Sequence, residues 1–129
     1  MTDDHPNRRA VQAYFDAVNE RDFGAMNDLR HDEEFVQEWP QMGERTVGRA
    51  NARAINEHHP AFPRSRVFRI FGGDDVWVAE TFLVYGDGSE WNAVSVFEFR
   101  DGKFVRQTDY FGPPLDAPAW RAEWVERMG

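Results

Sequence analysis

The sequence predicts an α+β fold in which N-terminal helices lie on one face of a curved antiparallel sheet. Apolar residues recur at helical spacing before Pro63 and alternate along the chain after it. In the alternating half, the dipeptide Asp101-Gly102 is typical of a two-residue hairpin turn, because both residues tolerate a positive φ. Helices that precede an antiparallel meander pack together on one side of it, which gives the predicted fold class.

Three helices are predicted in the first half of the chain. The first carries an apolar stripe at i, i+3, i+4 and i+7, formed by Val11, Tyr14, Phe15 and Val18. A short second helix begins at Asp22 and completes a helical hairpin with the first. The third helix spans residues 48–59 and is ended by Pro60.

Five strands are predicted, at residues 35–39, 66–71, 76–85, 90–100 and 103–111. Pro40 ends the first strand, and Pro113 breaks the last one. A closing helix capped by Asp116 follows, with Trp120, Trp124 and Met128 at i, i+4 and i+8.

The central strands have apolar side chains on both faces. In the strand at 90–100, Trp91 and Phe97 share one face while Val94 and Val96 lie on the other. A sheet without a polar face is covered on both sides. We therefore expect the helices on one face and a second subunit on the other, which makes the protein a homodimer.

Composition excludes several classes of protein. The 129 residues predict one domain, residues 1–129. Because 15 basic and 23 acidic residues give a net charge of -8, nucleic acid and anionic membrane surfaces are unsuitable partners. The absence of cysteine excludes disulfides, thiolate zinc sites and cysteine nucleophiles. No signal peptide or membrane-spanning apolar stretch is found, so a cytoplasmic protein is expected.

Aromatic residues make up 15% of the chain, which predicts either a large core or a pocket lined by rings. Composition alone does not distinguish these two.

Three stretches carry a resemblance to a known family. They are residues 13–22 (AYFDAVNERD), residues 38–45 (EWPQMGER) followed by Gly48-Arg49, and residues 97–103 (FEFRDGK) continuing to 108–112 (TDYFG). With this order of elements, nearly the whole chain resembles the SnoaL-like branch of the nuclear transport factor 2-like superfamily. The resemblance implies a cone, in which a curved sheet wraps around helices and leaves a cavity with one open mouth.

Members of this superfamily include steroid isomerases, polyketide cyclases, epoxide hydrolases and dehydratases, and others only bind ligands or partners, so the fold does not define the activity. The ketosteroid isomerases use a carboxylate base, with a tyrosine and a neutral carboxylic acid as oxyanion donors. Tyr14 matches the tyrosine, whereas Trp39 aligns with the base and Ser95 with the acidic donor. Steroid isomerisation is therefore not expected.

Asp109 is the predicted catalytic centre instead. By strand alternation it shares a face with Gln107 and Phe111, and hairpin pairing brings that face beside Ser95 and Phe97. A carboxyl group buried there has a raised pKa and suits a general acid or base. The resemblance agrees, because SnoaL-like cyclases place an acidic base on this part of the sheet. The alternative is a structural aspartate paired with an arginine or a backbone group.

Tyr14 and Glu80 are candidate catalytic assistants, and each has a structural alternative. Tyr14 could donate its hydroxyl to a substrate oxygen, or it could be a core tyrosine with a satisfied hydroxyl. Glu80 interrupts an apolar strand face, so it could be a second catalytic carboxylate or an ion-pair partner at a dimer interface. The candidate substrate-binding residues, of which the aromatic ones could equally be core, are Trp39, Gln41, Asn51, Trp91, Ser95, Phe97 and Phe111.

No metal or cofactor is predicted. His58 and His59 are adjacent, so on a helix they face different ways and cannot share an ion, although one could line the cavity mouth. The sequence has no P-loop, dinucleotide fingerprint, zinc pattern or serine elbow.

Two functional hypotheses follow. In the first, the protein is a cofactor-independent enzyme that performs an isomerase, cyclase or hydrolase type of proton transfer on a small hydrophobic substrate, with Asp109 as the acid or base. In the second, it is a non-catalytic ligand-binding or dimerisation module. An epoxide hydrolase centre of the Asp-Arg-Asp type is not supported, because Arg106 lies on the strand face opposite to Asp109.

Overall fold

The computed structural model describes residues 4–128, in which helices pack on one face of a curved, unclosed sheet of six strands. The helices are α1 (Pro6–Glu20), α2 (Phe23–Asp28) and α3 (Arg49–His58). The strands are β1 (Val36–Trp39), β2 (Glu44–Val47), β3 (Arg64–Gly73), β4 (Val76–Val84), β5 (Glu90–Arg100) and β6 (Lys103–Gly112). A 3-10 helix, Ala119–Trp124, follows the last strand. The α+β fold class predicted from the sequence is confirmed.

Helix α1 begins and ends at local signals in the sequence. His5 is the N-cap, and its Nδ1 accepts the backbone N–H of Asn7 at 3.0 Å. Pro6 occupies the first turn, where no intrahelical N–H bond is needed. Arg21 ends the helix in the left-handed conformation, with φ 56°. The predicted apolar stripe is buried, at Val11, Tyr14, Phe15 and Val18.

Helices α2 and α3 pack against each other beside α1. Asp22 caps α2 by accepting the backbone N–H of Ala25 at 3.0 Å. Helix α3 follows Gly48, buries Ala52 and ends just before Pro60. Helix α1 packs on β3 and β4, whereas α3 contacts β2 at the other edge of the sheet.

The strand order is β2-β1-β6-β5-β4-β3, and each neighbouring pair is antiparallel except β1 with β6. Strand β1 runs parallel to β6, with Gln37 opposite Gln107. A parallel pair needs a long connection, which α3 and the intervening strands supply. The sequence did not predict β2, because its four residues show no apolar alternation. Three of them are exposed, and Thr46 alone of the four is buried.

The β5–β6 hairpin sets the register at the centre of the sheet. Asp101 and Gly102 have φ values of 54° and 75°, which confirms the predicted two-residue turn. Val105 then lacks a partner on β5, and this bulge shifts the pairing by one residue. Beyond the bulge, Ser95 lies directly opposite Asp109.

The chain end differs from the prediction. The expected closing helix is reduced to the six-residue 3-10 helix, and the side chains of Trp120 and Trp124 are 76% and 73% exposed. A short 3-10 helix that buries no side chain has no packing to extend it. Residues 113–128 are hereafter called the C-terminal arm.

Candidate active site

A cavity of about 670 Å³ lies between the concave face of the sheet and the helices. Its walls are mostly aromatic and aliphatic, and its polar groups are concentrated where β1, β5 and β6 meet. Such an apolar cavity with a few convergent polar groups is typical of a small-molecule site.

The Asp109 carboxyl group is the centre of the polar cluster. It is buried and accepts hydrogen bonds from Ser95 Oγ at 2.7 Å, Gln37 Nε2 at 2.7 Å and Gln107 Nε2 at 3.1 Å. Burial raises the pKa of Asp109, while these hydrogen bonds and the more distant charge of Arg30 oppose the rise. Strand alternation predicted that Asp109 shares a face of β6 with Gln107. Both residues lie on the inner face, where they line the cavity.

Tyr14 projects from α1 to the same cluster. Gln107 Nε2 donates to Tyr14 Oη at 3.4 Å, and this amide also contacts Asp109. The Tyr14 ring packs edge-on against Phe97 and Phe104, at centroid distances of 5.6 and 5.7 Å. Burial raises the pKa of Tyr14, Arg30 lowers it, and the Asp109 charge raises it again. Tyr14 is thus both a core side chain and a cavity-lining one.

Arg30 is a fully buried cation that the sequence analysis did not identify. Its guanidinium donates to Asn27 Oδ1 at 3.2 Å and to Asn56 Oδ1 at 2.8 Å, and it lies 5.3 Å from the ring centroid of Phe35. No carboxylate within the described part of the chain forms an ion pair with it. A lone arginine after a short helix gives no sequence signal that separates it from the other basic residues.

Gln37 and Gln107 were also missed as site residues. Both are buried, and both turn an amide N–H toward Asp109. Residues two apart on a strand share a face, and this rule could have identified both. Gln37 is two residues from Trp39, and Gln107 is two residues from Asp109.

Aromatic side chains form a large part of the cavity wall. Trp39, Trp91 and Phe111, three of the residues predicted to bind a substrate, line it. His59 also lines it and stacks on Tyr85 with ring centroids 5.5 Å apart. Burial lowers the pKa of His59, with the Asp87 charge opposing this effect.

Four candidates lie outside the cavity. Glu80 is on the outer face of β4, where it pairs with Arg69, because odd-numbered residues of this strand point inward. Asn51 is exposed on α3 and donates to the carbonyl oxygen of Val47, the last residue of β2. Gln41 is exposed and accepts the backbone N–H of Phe111, and Phe97 is fully enclosed in the core. These positions correct the expectation that the four residues contact a substrate.

Within residues 4–128, no three His, Asp or Glu side chains come together in a way that could hold a metal ion. Across the same residues, none of the helices has the length and apolar character needed to cross a membrane.

The curved six-stranded sheet, the helices on its inner face and the cavity between them define a nuclear transport factor 2-like protein. The chain belongs to the SnoaL-like domain family, whose family model matches residues 11–107. The resemblance found in the sequence is therefore confirmed. No curated protein matches the sequence.

Solved structures show the same fold over most or all of the chain. An NTF-2 like protein of unknown function from Burkholderia xenovorans is similar with a TM-score of 0.88 and 39% identity, covering 96% of both chains. A candidate ketosteroid isomerase from Kribbella flavida is similar with a TM-score of 0.87 and 29% identity, covering 100% of this chain and 94% of that one. A candidate polyketide cyclase from Xanthomonas campestris has a TM-score of 0.69 and 25% identity, covering 83% and 90%.

Proposed function

We propose that the protein is a cofactor-independent enzyme that transfers a proton on a small hydrophobic substrate, with Asp109 as the general acid or base. The observation that carries this proposal is a buried carboxyl group that lines an aromatic cavity and has no lysine or arginine ion-pair partner among the described residues. A raised pKa brings such a group nearer to neutral pH, where acid–base catalysis is most efficient. Isomerase, cyclase and hydrolase chemistry all need this step.

Tyr14 is the proposed partner of Asp109. Its Oη accepts from Gln107, so its own proton is available for an oxygen atom of the substrate. In the proposed step, ionised Asp109 takes a proton from a C–H bond or a water molecule, and Tyr14 stabilises the oxygen on which negative charge develops. The proton later returns from Asp109 to the product.

A second function is favoured by the three hydrogen bonds that Asp109 accepts. A carboxylate that is stabilised by three accepted hydrogen bonds is a weaker base, which suits a non-catalytic ligand-binding protein. The name of the similar Kribbella flavida structure supports an enzyme, whereas the Burkholderia xenovorans structure carries no activity in its name.

The two functions are separated by proton exchange on 2-tetralone, an enolisable ketone, in D₂O. Nuclear magnetic resonance follows the protons beside the carbonyl, and hydrolysis of styrene oxide is measured in parallel to cover attack by water. We expect Asp109→Asn to slow the reaction at least about 100-fold. The matched control is Asp101→Asn at the turn of the same hairpin, where asparagine tolerates the positive φ. Undiminished turnover by Asp109→Asn would contradict the enzyme, and ligand binding without turnover would favour the binding protein.

We also propose that the protein is a homodimer, formed through the outer face of the sheet and the C-terminal arm. The outer face exposes Phe68, Phe71, Val76, Val94 and Tyr110. The arm exposes Leu115, Trp120, Trp124, Val125 and Met128. The two surfaces are continuous, because Met128 borders a groove on the outer face beside Phe68 and Val94. Exposed apolar side chains that cluster in this way are typical of a protein–protein interaction site.

A second copy of the chain fits this surface because it supplies both apolar and charged partners. Exposed Arg64 and Arg66 on β3 complement exposed Glu123 and Glu126 on the arm. We expect sedimentation velocity at micromolar concentration to give twice the mass of the chain. Val94→Asp should give monomers, whereas Val47→Ala, at an exposed apolar residue of β2, should leave the dimer intact. A monomeric native protein would refute the homodimer.

A further inference from the structure

The last turn of α3 places two polar side chains on the cavity wall. Asn56 lies on this turn and His59 ends the helix, and both residues line the cavity. The backbone N–H of His59 donates to the carbonyl oxygen of Asn56 at 3.4 Å. Residues three apart on a helix lie on the same side of it, with their Cβ atoms about 5–6 Å apart. The two side chains are therefore close enough to contact the same end of a ligand.

The buried guanidinium of Arg30 fixes the orientation of the Asn56 amide, because it donates to Asn56 Oδ1 at 2.8 Å. A guanidinium only donates hydrogen bonds, so the amide oxygen must face Arg30 and the NH₂ group must face away from it. Within residues 4–128, Nδ2 of Asn56 has no hydrogen-bond partner. It is also not enclosed, since the enclosed unpaired nitrogen and oxygen atoms belong to other side chains. Asn56 therefore offers an accessible donor.

The His59 ring is held in a similar way. Its Nδ1 accepts the backbone N–H of Ala61 at 3.0 Å, while the ring stacks on Tyr85 and meets Phe62 edge-on. Because burial lowers the pKa of His59, the ring is neutral at pH 7 and its proton is on Nε2. In the described part of the chain, Nε2 likewise has no partner and is not enclosed. His59 thus supplies a second accessible donor.

The charges around the cavity favour a neutral partner for these donors. Asp109, Glu44 and Asp87 line the cavity, and the described lining residues include no lysine or arginine. The C-terminal end of a helix also carries a partial negative charge, which disfavours an anion at this end of α3. A carboxylate or phosphate group would meet repulsion there without a cation in contact. A carbonyl oxygen has two lone pairs and no net charge, so it can accept from both donors.

We propose that the last turn of α3 is a subsite for a neutral carbonyl group, whose oxygen accepts hydrogen bonds from Nδ2 of Asn56 and Nε2 of His59. The ligand is thus a ketone, ester or amide with a largely apolar body. This inference rests on the proposed ligand-binding cavity and holds for an enzyme and for a binding protein alike. Arg30 is a positioning residue, because it holds the Asn56 amide and does not itself line the cavity.

Equilibrium dialysis with three diphenyl compounds tests the subsite. Benzophenone carries a carbonyl group, diphenylmethane lacks it, and diphenylacetate carries a carboxylate. Without donors the ketone would bind less tightly than the hydrocarbon, because its oxygen would lose the hydrogen bonds of water. We expect benzophenone to bind about tenfold more tightly than diphenylmethane, and diphenylacetate to bind more weakly than either. The carbons beside the carbonyl group of benzophenone carry no hydrogen, so the result does not depend on catalysis by Asp109.

Variants assign the preference for benzophenone to the two donors. Asn56→Asp and His59→Phe each remove one donor and keep the approximate shape of the side chain. Each should lower the ratio of the two affinities about threefold. The matched controls are Asn51→Asp and His58→Phe, the same changes at exposed residues of α3 that do not line the cavity. Neither control should alter the ratio, and circular dichroism checks that every variant is folded.

The carbonyl carbon of ¹³C-labelled benzophenone reports the hydrogen bonds directly. Its nuclear magnetic resonance signal moves to higher chemical shift when the oxygen accepts hydrogen bonds. We expect the bound ketone to show a higher shift than the ketone in hexane. Asn56→Asp and His59→Phe should each reduce this difference, which a merely structural role of the two residues would leave unchanged.

Each outcome bears on a different claim. The subsite would be overturned by benzophenone binding no more tightly than diphenylmethane, by an unshifted carbonyl signal, or by a preference that survives both substitutions together. Tight binding of diphenylacetate would overturn the requirement for a neutral group. Failure of diphenylmethane to bind along with the other two compounds would contradict the ligand-binding cavity itself. If the enzyme assignment alone fails, the subsite stands, because none of these measurements involves turnover.

Discussion

Ser95 and Asp109 lie directly opposite each other on β5 and β6, and Ser95 Oγ donates a 2.7 Å hydrogen bond to the Asp109 carboxyl group. The bond joins Ser95 to the proposed acid–base centre. It favours the charged form of the carboxyl group and so opposes the rise in the pKa of Asp109 that burial causes.

Replacing Ser95 with alanine should raise the pKa of Asp109 further. The Ser95 hydroxyl favours the charged form of the carboxyl group and so lowers the pKa. Without this hydrogen bond, the effect of burial, which raises the pKa, is less opposed. Titration of the aspartate side-chain carbons by ¹³C nuclear magnetic resonance measures the change. Ser89→Ala is the matched control, because Ser89 holds down the pKa of Asp87 and should move that group alone. A lower or unchanged Asp109 midpoint in Ser95→Ala would contradict this account.

Asp109 should make the protein less stable as the pH rises from about 4. Because burial raises its pKa above the unfolded value, the folded state binds the additional proton between the two values. The contribution of Asp109 to the free energy of unfolding is therefore largest in acid. It falls as the pH rises, until the pH has passed the pKa of Asp109 in the folded state. Urea unfolding between pH 4 and 8 should show this fall for the native protein relative to Asp109→Asn. A difference that stays flat or grows with pH would show that the pKa is not raised.

Arg30 should hold down the pKa of Tyr14 through the low-dielectric interior. Tyr85→Phe with Tyr110→Phe leaves Tyr14 as the single tyrosine, so its ionisation can be followed by absorbance. We expect a midpoint above the ordinary value near 10, which Arg30→Met raises further. Arg45→Met on β2, whose partner is Glu38, should have no effect. An unchanged Tyr14 midpoint in Arg30→Met would exclude the coupling.

Gly72 should tolerate no side chain, in contrast to its neighbour Gly73. A Cβ at Gly72 would overlap the carbonyl oxygen of Val76 and lie 2.8 Å from Cα of Trp77, and the residue has φ 152°. A Cβ at Gly73 meets nothing within 4 Å. We expect Gly72→Ala to lower the free energy of unfolding by about 2–3 kcal/mol and Gly73→Ala to change it little. Thermal or urea unfolding checks the pair, and equal effects would contradict the contact.

Much of the fold could be predicted because its signals are local. The stripe on α1 and the alternation in β4 and β5 repeat within a few residues, and the Asp101-Gly102 turn needs no distant partner. Local signals failed at the chain end, where Trp120 and Trp124 have helical spacing but are largely exposed among the described residues. They also failed at Glu80, which was predicted to be a catalytic residue. Its neighbours on the same face of β4 are apolar, but this is the outer face of the sheet and not the face that lines the cavity.

The sequence by itself determined the three helices, the four-strand meander from β3 to β6, the family and the hairpin that carries Asp109. The tertiary structure decided what surrounds that residue. A hairpin continued in strict register from Asp101-Gly102 would set Asp109 opposite Val94 on the outer face, and the bulge at Val105 turns it inward instead. The parallel pairing of β1 brings Gln37 to the carboxyl group, and the junction of α2 and α3 buries Arg30 nearby. These contacts join segments far apart in the chain, so no local period or turn signal encodes them.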